Sequence, residues 1–568
     1  MLENEPQVSR GASWRDKLPA PRQMAKNLSH NWFFPLSALP YFFSEIQGAE
    51  YNTGALTLAL AFVVLLAVAL YTPELWQTTR TLPWFIQCWA LLTAAGVCWH
   101  AYSHGATFFT ADGPLAALTG MLADVEDFPR ALAVCCGILG FPFVYTSISY
   151  VWQTLARLVK KLGILQFSRL EWLLYAVLAL ALVAYAGWAF YSSTGFYSAT
   201  NDGYDIVYTA DTDTLFNNWA YLSLTYVEND LRQPLFAVFS APFTGLPYLL
   251  SQLLQLPVPT TAVLLNSVQV LMLYAANLML ASLAVHSAAK RVCFVLALSA
   301  TYTVLLNAIM LEQYVTAYFW LMLTVAAIVT RHTEEPLGAF GAMGALLTNA
   351  AVLPWMSAHC PWRHPLKWLG NMLALGLGFI ALIIGMARFD VLYSIVPKLA
   401  SLLKFTGTSI PPGDRLREYL AFVHDCFVQP AAHVAQGVAP DGILSWRLDT
   451  VASWNICGIV LLSLMALSMI LNRHDRLTQF AGYWVAISFV LLAVIGWGTW
   501  ENGLILYSLY FGWVYFLLLY RLLERLAEKL HAHWLTPIGT LAAAAGMLYL
   551  NVPAILELIA YCVKYFPL

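Results

Sequence analysis

The chain has 568 residues, of which 60% are hydrophobic and only 11% are charged, and its formal net charge is -2. An ordinary soluble domain is about 25% charged, whereas here the apolar residues occur in runs of about 17–25, the length that crosses a hydrocarbon core. This composition excludes a soluble globular protein. Lys and Arg are scattered between the apolar runs without a basic stripe, which argues against nucleic-acid binding.

The basic residues predict how the chain is threaded, because Lys and Arg collect on the cytoplasmic side of a membrane. The tail of residues 1–30 is basic, lacks the pattern of a cleavable signal peptide, and is predicted to be cytoplasmic. The sequence then predicts an all-α polytopic membrane protein with about 12–15 transmembrane helices. Its predicted parts are a four-helix segment at 31–160, a longer unit at 165–525 and carboxy-terminal helices at 526–568. The later predicted spans include 291–310, 313–330, 366–388, 451–471, 479–497, 504–524, 535–550 and 552–567.

Two apolar segments do not suit a simple crossing. Residues 234–254 contain Pro242 and Pro247, and a full crossing there would move every later basic cluster to the other side. We therefore expect them to form helices that lie in the outer leaflet. Residues 337–358, around Asn349, are predicted to form a re-entrant hairpin for the same reason. Non-helical backbone at membrane depth is tolerated only where protein shields it or where it lines a wet cavity, so this hairpin indicates a site.

Two connections are long enough to carry function, and both are predicted to be external: residues 193–233 and 389–450. The first is acidic and contains Asp211 and Asp213 as an Asp-x-Asp pair. Such a pair can ligate a divalent cation, or one carboxylate can act as a general base beside the other. The alternative is a solvated acidic loop whose Asp and Asn side chains cap turns.

Further polar residues are predicted at the same external face. Three of them have a structural alternative. Arg232 could be an interfacial Arg that reaches lipid headgroups, Glu312 an acidic residue at a helix start, and Trp500 with Trp497 part of the interfacial aromatic belt rather than a sugar-stacking platform. The additional candidates for substrate binding are Arg232, Gln233, Glu312, Asn349, Trp500 and Glu501, with Trp497 beside the last two.

The order of these features resembles the GT-C superfamily, membrane-embedded glycosyltransferases that use polyprenyl-phosphate sugar donors. The resemblance implies that Asp213 or Asp211 deprotonates the acceptor hydroxyl and that Arg232 holds the donor phosphate. The sequence departs from the family pattern at Gln233, where many relatives have His, and in its four additional amino-terminal spans. The matching stretches are TADTDTLF, ENDLRQPLFAVF, MLEQYVTAYFWLML, GALLTNAAVLP and WENGLILYSLYF, which together extend over about 165–525.

The resemblance predicts transfer of a sugar from a polyprenyl-phosphate donor to a glycan or lipid acceptor of the cell envelope, on the outer face of a bacterial plasma membrane. No cofactor is firmly implied, although Asp211 and Asp213 could hold a divalent cation. One alternative is a transporter or flippase of a lipid-linked or anionic substrate, which should place ionisable residues near the membrane midplane. Another is a lipid-linked glycan polymerase or ligase, favoured by basic residues in or beside 389–450: Arg388, Arg415, Arg417, His424 and His433.

Overall fold

In a computed structural model of the chain, the described residues form helices and no β-strand; an isolated antiparallel bridge joins Thr406 and Trp497. Seven of these helices are long and apolar enough to cross a membrane, and four more are apolar but shorter. This architecture is consistent with an all-α polytopic membrane protein. The described residues are 19–45, 51–73, 75, 77–108, 128–198, 206–208, 212, 231–333, 335–357, 364–393, 395–403, 406–407, 409–429, 453–498 and 504–568.

The chain divides into two compact units. Unit 1 comprises residues 1–155 and 380–390, and unit 2 comprises residues 156–379 and 391–568. The helices up to the boundary are α1 (Pro21–Asn31), α2 (Phe33–Glu45), α3 (Tyr51–Tyr71), α4 (Gln77–Arg80), α5 (Trp84–Phe108) and α6 (Phe128–Leu162). Those that follow are α7 (Arg169–Phe190), α8 (Phe236–Leu253), α9 (Val258–Ala284), α10 (Ala288–Ser299), α11 (Tyr302–Asn307), α12 (Gln313–Val329), α13 (Leu337–Ala345), α14 (Leu353–Met356), α15 (Pro365–Gly385), α16 (Phe389–Tyr393), α17 (Ile395–Leu402), α18 (Pro412–Asp425), α19 (Ile456–Leu471), α20 (Arg476–Ser488), α21 (Ser508–Lys529) and α22 (Leu535–Tyr565).

In unit 1, a polar stripe of α1 caps the end of α3. Asn27 Nδ2 donates to Leu70 O at 3.0 Å, and Asn31 Nδ2 donates to Ala69 O and Thr72 O at 3.2 and 2.7 Å. The last carbonyls of a helix have no partner within that helix. The two asparagines, one helical turn apart, therefore satisfy groups that α3 leaves open.

In unit 2, ion pairs bring several helix termini to a common end. Glu171 belongs to the capping box that starts α7, and Asp475 caps α20. The basic partners of these acids and of Glu524 are Lys290 and Arg291 at the start of α10 and Arg521 in the second half of α21. This shared placement is what the threading by basic residues requires, and we call it the basic end. The pairs are Arg291–Glu171 at 2.7 Å, Lys290–Glu524 at 3.0 Å and Arg521–Asp475 at 3.7 Å.

The carboxy-terminal prediction of two spans, 535–550 and 552–567, is wrong, because residues Leu535–Tyr565 form one helix of 31 residues. Pro553 lies inside this helix. Proline removes a single backbone donor, and in membrane helices neighbouring groups readily satisfy the freed carbonyl. The helix therefore continues through Pro553.

The predicted span 291–310 is broken into α10 and α11, and the break is held from outside. Tyr302 N and Thr303 N donate to Phe427 O and Cys426 O at 3.0 and 3.2 Å. Asn551 Nδ2 donates to Ala300 O and Phe427 O at 2.9 and 2.8 Å. The segment 389–450, predicted as an external loop, thus contributes α18 and the residues after it to the packed interior of unit 2.

Residues 337–357 turn back on themselves within unit 2. Helix α13 runs antiparallel to α12, with Gly338 beside Thr324 and Gly341 beside Trp320. A 3₁₀ turn at Leu347–Val352 reverses the chain. Trp355 then packs edge-on against Phe480, with ring centroids 5.5 Å apart, near the start of α20 at the basic end. We call this segment the 337–357 hairpin.

The segment 234–254 contains one helix, α8, which continues through Pro242 and Pro247 and is largely buried. Its start is tied to the hairpin, since Leu235 N donates to Gly344 O at 2.9 Å. It is not among the seven helices with the length and hydropathy of a membrane span. The start of α8 is therefore placed by the hairpin, and this arrangement determines the position of the residues just before it.

Candidate functional site

A cavity of about 160 Å³ opens at the end of unit 2 opposite the basic end. The first turns of α12 and the turn that leads into α21 contribute to it, and both of these helices terminate at the basic end. The segment before α8, the tip of the 337–357 hairpin, the π-helical turn after α20 and the end of α17 complete the wall. We call it the Arg232 cavity; it is lined by Leu231, Arg232, Gln233, Tyr314, Leu346, Leu347, Thr348, Leu402, Leu491, Trp497, Tyr507 and Tyr510.

Arg232 is positioned by main-chain hydrogen bonds to the hairpin. Leu347 N donates to Arg232 O at 2.8 Å, and Leu235 N donates to Gly344 O at 2.9 Å. A Cβ atom at Gly344 would lie 2.8 Å from the Phe239 ring, so the close approach of the two segments requires glycine there. The hairpin tip and the Arg232 segment are therefore one structural unit.

Gln233, beside the cavity, has a buried side-chain acceptor without a partner in the part of the chain that the structure describes. Its side chain is only 3% exposed, and among the described residues no donor reaches its Oε1 atom. A buried polar atom without a partner costs about 1–3 kcal/mol, so native structures rarely keep one without a reason. Gln233 lines the cavity, but its Oε1 atom is closed off within the wall.

Aromatic rings form much of the remaining wall. The rings of Tyr314 and Tyr507 meet edge to face, with centroids 6.0 Å apart. Trp497 stands between Gly496 and Gly498, whose φ angles of 73° and 74° lie in the left-handed region that glycine adopts without strain. Trp497 thus belongs to the cavity wall, which favours the platform over the interfacial belt that the sequence left open.

Glu312 and Asn349 support the cavity without lining it. Glu312, 1% exposed, caps α12 by accepting from Gln313 N at 3.2 Å. The Gln269 amide brackets the Glu312 backbone, donating to its carbonyl at 3.1 Å and accepting from its N–H at 3.3 Å. Asn349 Nδ2 donates to Ala342 O at 2.9 Å within the hairpin. Their neighbours Tyr314 and Thr348 are the residues that face the cavity.

Four predicted site residues lie outside the described residues: Asp211, Asp213, Trp500 and Glu501. The described parts of the acidic loop are nevertheless packed. Thr212, between the two aspartates, is buried, and the Tyr208 hydroxyl lies 2.9 Å from the Tyr302 hydroxyl in the interior. The described residues of this loop are therefore buried rather than solvated.

The sequence did not single out several residues that line or adjoin the cavity. Tyr507 and Tyr510 lie in the stretch LYSLY, where the aromatic clustering at a helix start was an available signal. Leu402, at the end of α17, had no such signal because it comes from the predicted loop 389–450. One turn earlier lies Lys398, and partial burial lowers the pKa of its ammonium group.

The lining combines a guanidinium fork, a hydroxyl and several ring faces, a set that can bind a phosphate ester joined to a sugar. Among the described residues there is no cluster of His, Cys, Asp and Glu that could hold a metal ion. Comparison with protein-family models, curated proteins and solved structures finds no match.

Proposed function

We propose that the chain is a membrane-embedded glycosyltransferase that moves a sugar from a polyprenyl-phosphate donor to a cell-envelope acceptor. The observation that carries the proposal is that Arg232 and Gln233 share one cavity with Thr348 and Trp497. These residues come from separate parts of the sequence, and the cavity lies at the end opposite the basic end. With the basic end in the cytoplasm, the reaction takes place on the outer face.

In the proposed reaction, the acceptor oxygen attacks the anomeric carbon while the bond from that carbon to the phosphate oxygen breaks. Asp213 or Asp211 takes the proton of the acceptor hydroxyl, a contribution of about 10²–10⁴-fold in rate. The polyprenyl phosphate leaves with the bonding electrons, and Arg232 stabilises its negative charge through a bidentate contact. Gln233 lies in the cavity wall beside the sugar, and Trp497 offers a ring face to it.

A transporter is less well supported by the interior of unit 2. Discontinuous helices in transporters present free backbone groups to a substrate. The break between α10 and α11 does not, because Tyr302 N and Thr303 N are bonded to the segment after α18, and Asn551 occupies Ala300 O. These backbone groups at the break are therefore bonded within the protein and are not available to a substrate.

A polymerase or ligase would draw on the basic residues near 389–450, and the described ones have other partners. Arg415 donates to Val494 O, Arg417 pairs with Asp414, and His424 Nδ1 lies 3.0 Å from Asp425 Oδ1. Arg388 is buried, and His433 lies outside the described residues. None of the described ones lines the Arg232 cavity.

The proposal is tested by titrating the purified full-length chain with a polyprenyl monophosphate and following its Trp fluorescence. Because Arg232 is assigned to the phosphate, Arg232→Gln should weaken binding at least tenfold, about 1.4 kcal/mol or more. Arg473→Gln, at an exposed position of the basic end, is the matched control and should bind as the parent does. Equal affinity of the parent and Arg232→Gln would refute the assignment of Arg232 to the donor phosphate.

A further inference from the structure

A second cavity in unit 2 is larger and almost entirely apolar. It has a volume of about 600 Å³ and shares no residue with the Arg232 cavity. Its floor is one face of α21, formed by Phe516, Leu519, Tyr520 and Leu523. Residues of α19 form one wall, small residues of α22 form the other, and His424 with Phe427 closes one end. We call it the α21 groove.

The α21 groove is open to the surroundings of the bundle. Ile456, Val460 and Leu550 on its two walls are 73%, 50% and 51% exposed. A Cβ atom at Gly546 would meet no atom within 4 Å, so the wall of α22 is recessed at this point. In a membrane the surrounding medium is hydrocarbon, and the groove is therefore accessible to lipid chains.

The direction and length of the groove match one leaflet. It runs along α22 from Gly539 to Leu550, which are about 17 Å apart at 1.5 Å per residue. Half of a hydrocarbon core is about 15 Å. Gly539 and Leu523 lie close to the start of α22 and the end of α21, so the groove begins near the basic end and ends near mid-bundle at His424.

The chain beside the entrance of the groove carries positive charge. Arg525 and Lys529 are exposed in the last turns of α21, and His533 and Trp534 are exposed at the start of α22. Arg525 pairs with Glu528 at 3.0 Å, which leaves this edge with a net positive charge. Cationic residues next to a membrane helix attract anionic headgroups, and an exposed Trp is typical of the headgroup level.

We propose that the α21 groove binds one anionic phospholipid of the leaflet at the basic end. One of its two acyl chains lies along α21 between α19 and α22, and its phosphate is held near Lys529. The apolar lining, the length of one leaflet and the cationic entrance together select this occupant. The site lies apart from the Arg232 cavity and does not depend on the activity proposed for that cavity.

The test compares Gly546→Leu with Gly376→Leu in the purified full-length chain. Both glycines are helical and have open space beside them, so both substitutions should fold, but only Gly546→Leu fills the groove. Native mass spectrometry with phosphatidylglycerol or phosphatidylcholine of the same chain length measures the bound lipid. We expect one saturable phosphatidylglycerol in the parent and in Gly376→Leu, and at least tenfold weaker binding in Gly546→Leu.

A second variant, Lys529→Gln, does not change the shape of the groove. It should reduce the preference for phosphatidylglycerol over phosphatidylcholine several-fold. Full binding by Gly546→Leu, or equal binding of the two lipids by the parent, would overturn the proposal. It would also be overturned if the parent were a dimer that Gly546→Leu converts to a monomer, because a helix of a second copy would then occupy the groove. Melting curves of both Leu variants show whether each is folded.

Discussion

At the scale of single residues, the geometry around Trp497 shows how a short motif can place a functional side chain. Gly407 N donates to Gly496 O at 2.7 Å, and Trp497 N donates to Leu491 O at 3.0 Å. With left-handed glycines on both sides, the backbone turns sharply twice within three residues. The indole is thereby held against the cavity by main-chain bonds rather than by packing alone.

Gly498→Ala should damage the Arg232 cavity. Its φ of 74° costs a non-glycine residue about 1–2 kcal/mol, and the added Cβ would lie 2.5 Å from the Tyr507 ring. We expect a lower melting temperature and weaker binding of polyprenyl monophosphate. The control is Gly376→Ala, which has no atom within 4 Å and should be neutral or slightly stabilising. A Gly498→Ala variant that melts and binds as the parent does would contradict this account of the turn.

The sequence singled out Arg232 for its guanidinium group and Gln233 for its place beside it, and both line the cavity. It could not distinguish Glu312 as a helix cap from Glu312 as a ligand, since an acidic residue at a helix start serves either role. The two hydrogen bonds between the Gln269 side chain and the Glu312 backbone join residues far apart in the sequence, and no local sequence pattern reveals them. Tyr507 and Tyr510 were missed because an aromatic residue at a helix start is equally common in the interfacial belt.

At the scale of elements, the 337–357 hairpin is the part on which the cavity depends. Its glycines allow α13 to approach α12 and the segment before α8 closely. A Cβ at Gly341 would lie 2.4 Å from Trp320, a fully buried ring, and one at Gly344 would lie 2.8 Å from Phe239. Neither ring can move without displacing the core around it.

Gly341→Ala and Gly344→Ala should each lower the free energy of unfolding by about 1–3 kcal/mol, the usual cost of overpacking. Gly344→Ala should also weaken donor binding, because Gly344 O receives the Leu235 N–H that positions Arg232. Thermal melting in detergent and the fluorescence titration measure the two effects. The account fails if Gly344→Ala matches Gly370→Ala, a glycine with open space, in both measurements.

The sequence predicted a reversal at 337–358 because a full crossing would have moved the later basic residues to the other side of the membrane. A reversal is present in the backbone. It did not predict the break between α10 and α11, because the donors and acceptors that stabilise the break belong to residues 426–429 and to Asn551. The apolar run 291–310 is continuous in composition. Only the tertiary partners of Ala300, Tyr302 and Thr303 show why the helix stops.

For the molecule as a whole, the proposed reaction requires the basic end to face the cytoplasm and the Arg232 cavity to face outward. Impermeant maleimide labelling of intact cells tests this. Ser409→Cys, exposed between α17 and α18 near the cavity, should react in intact cells. His533→Cys, exposed at the basic end, should react only after permeabilisation. Labelling of the parent chain measures the background from its own exposed cysteines. The opposite labelling pattern would reverse the proposed orientation.

The class of the protein followed from composition, because runs of apolar residues of this length have few other uses. Composition did not predict the number of helices equally well. The joined helix Leu535–Tyr565 and the interior course of residues 412–429 depend on packing between distant segments. The α21 groove was also beyond prediction, since its floor and walls come from three helices whose apolar faces look alike in the sequence.

The most direct test of the proposed function is whether the aspartates of the acidic loop are required for transfer. In cells in which this chain is replaced by Asp211→Asn or Asp213→Asn, both variants should insert in the membrane normally. At least one should abolish incorporation of the sugar into the envelope glycan, measured by mass spectrometry, whereas Asp202→Asn in the same loop should retain it. Unchanged glycan in both Asp211→Asn and Asp213→Asn would contradict the glycosyltransferase mechanism.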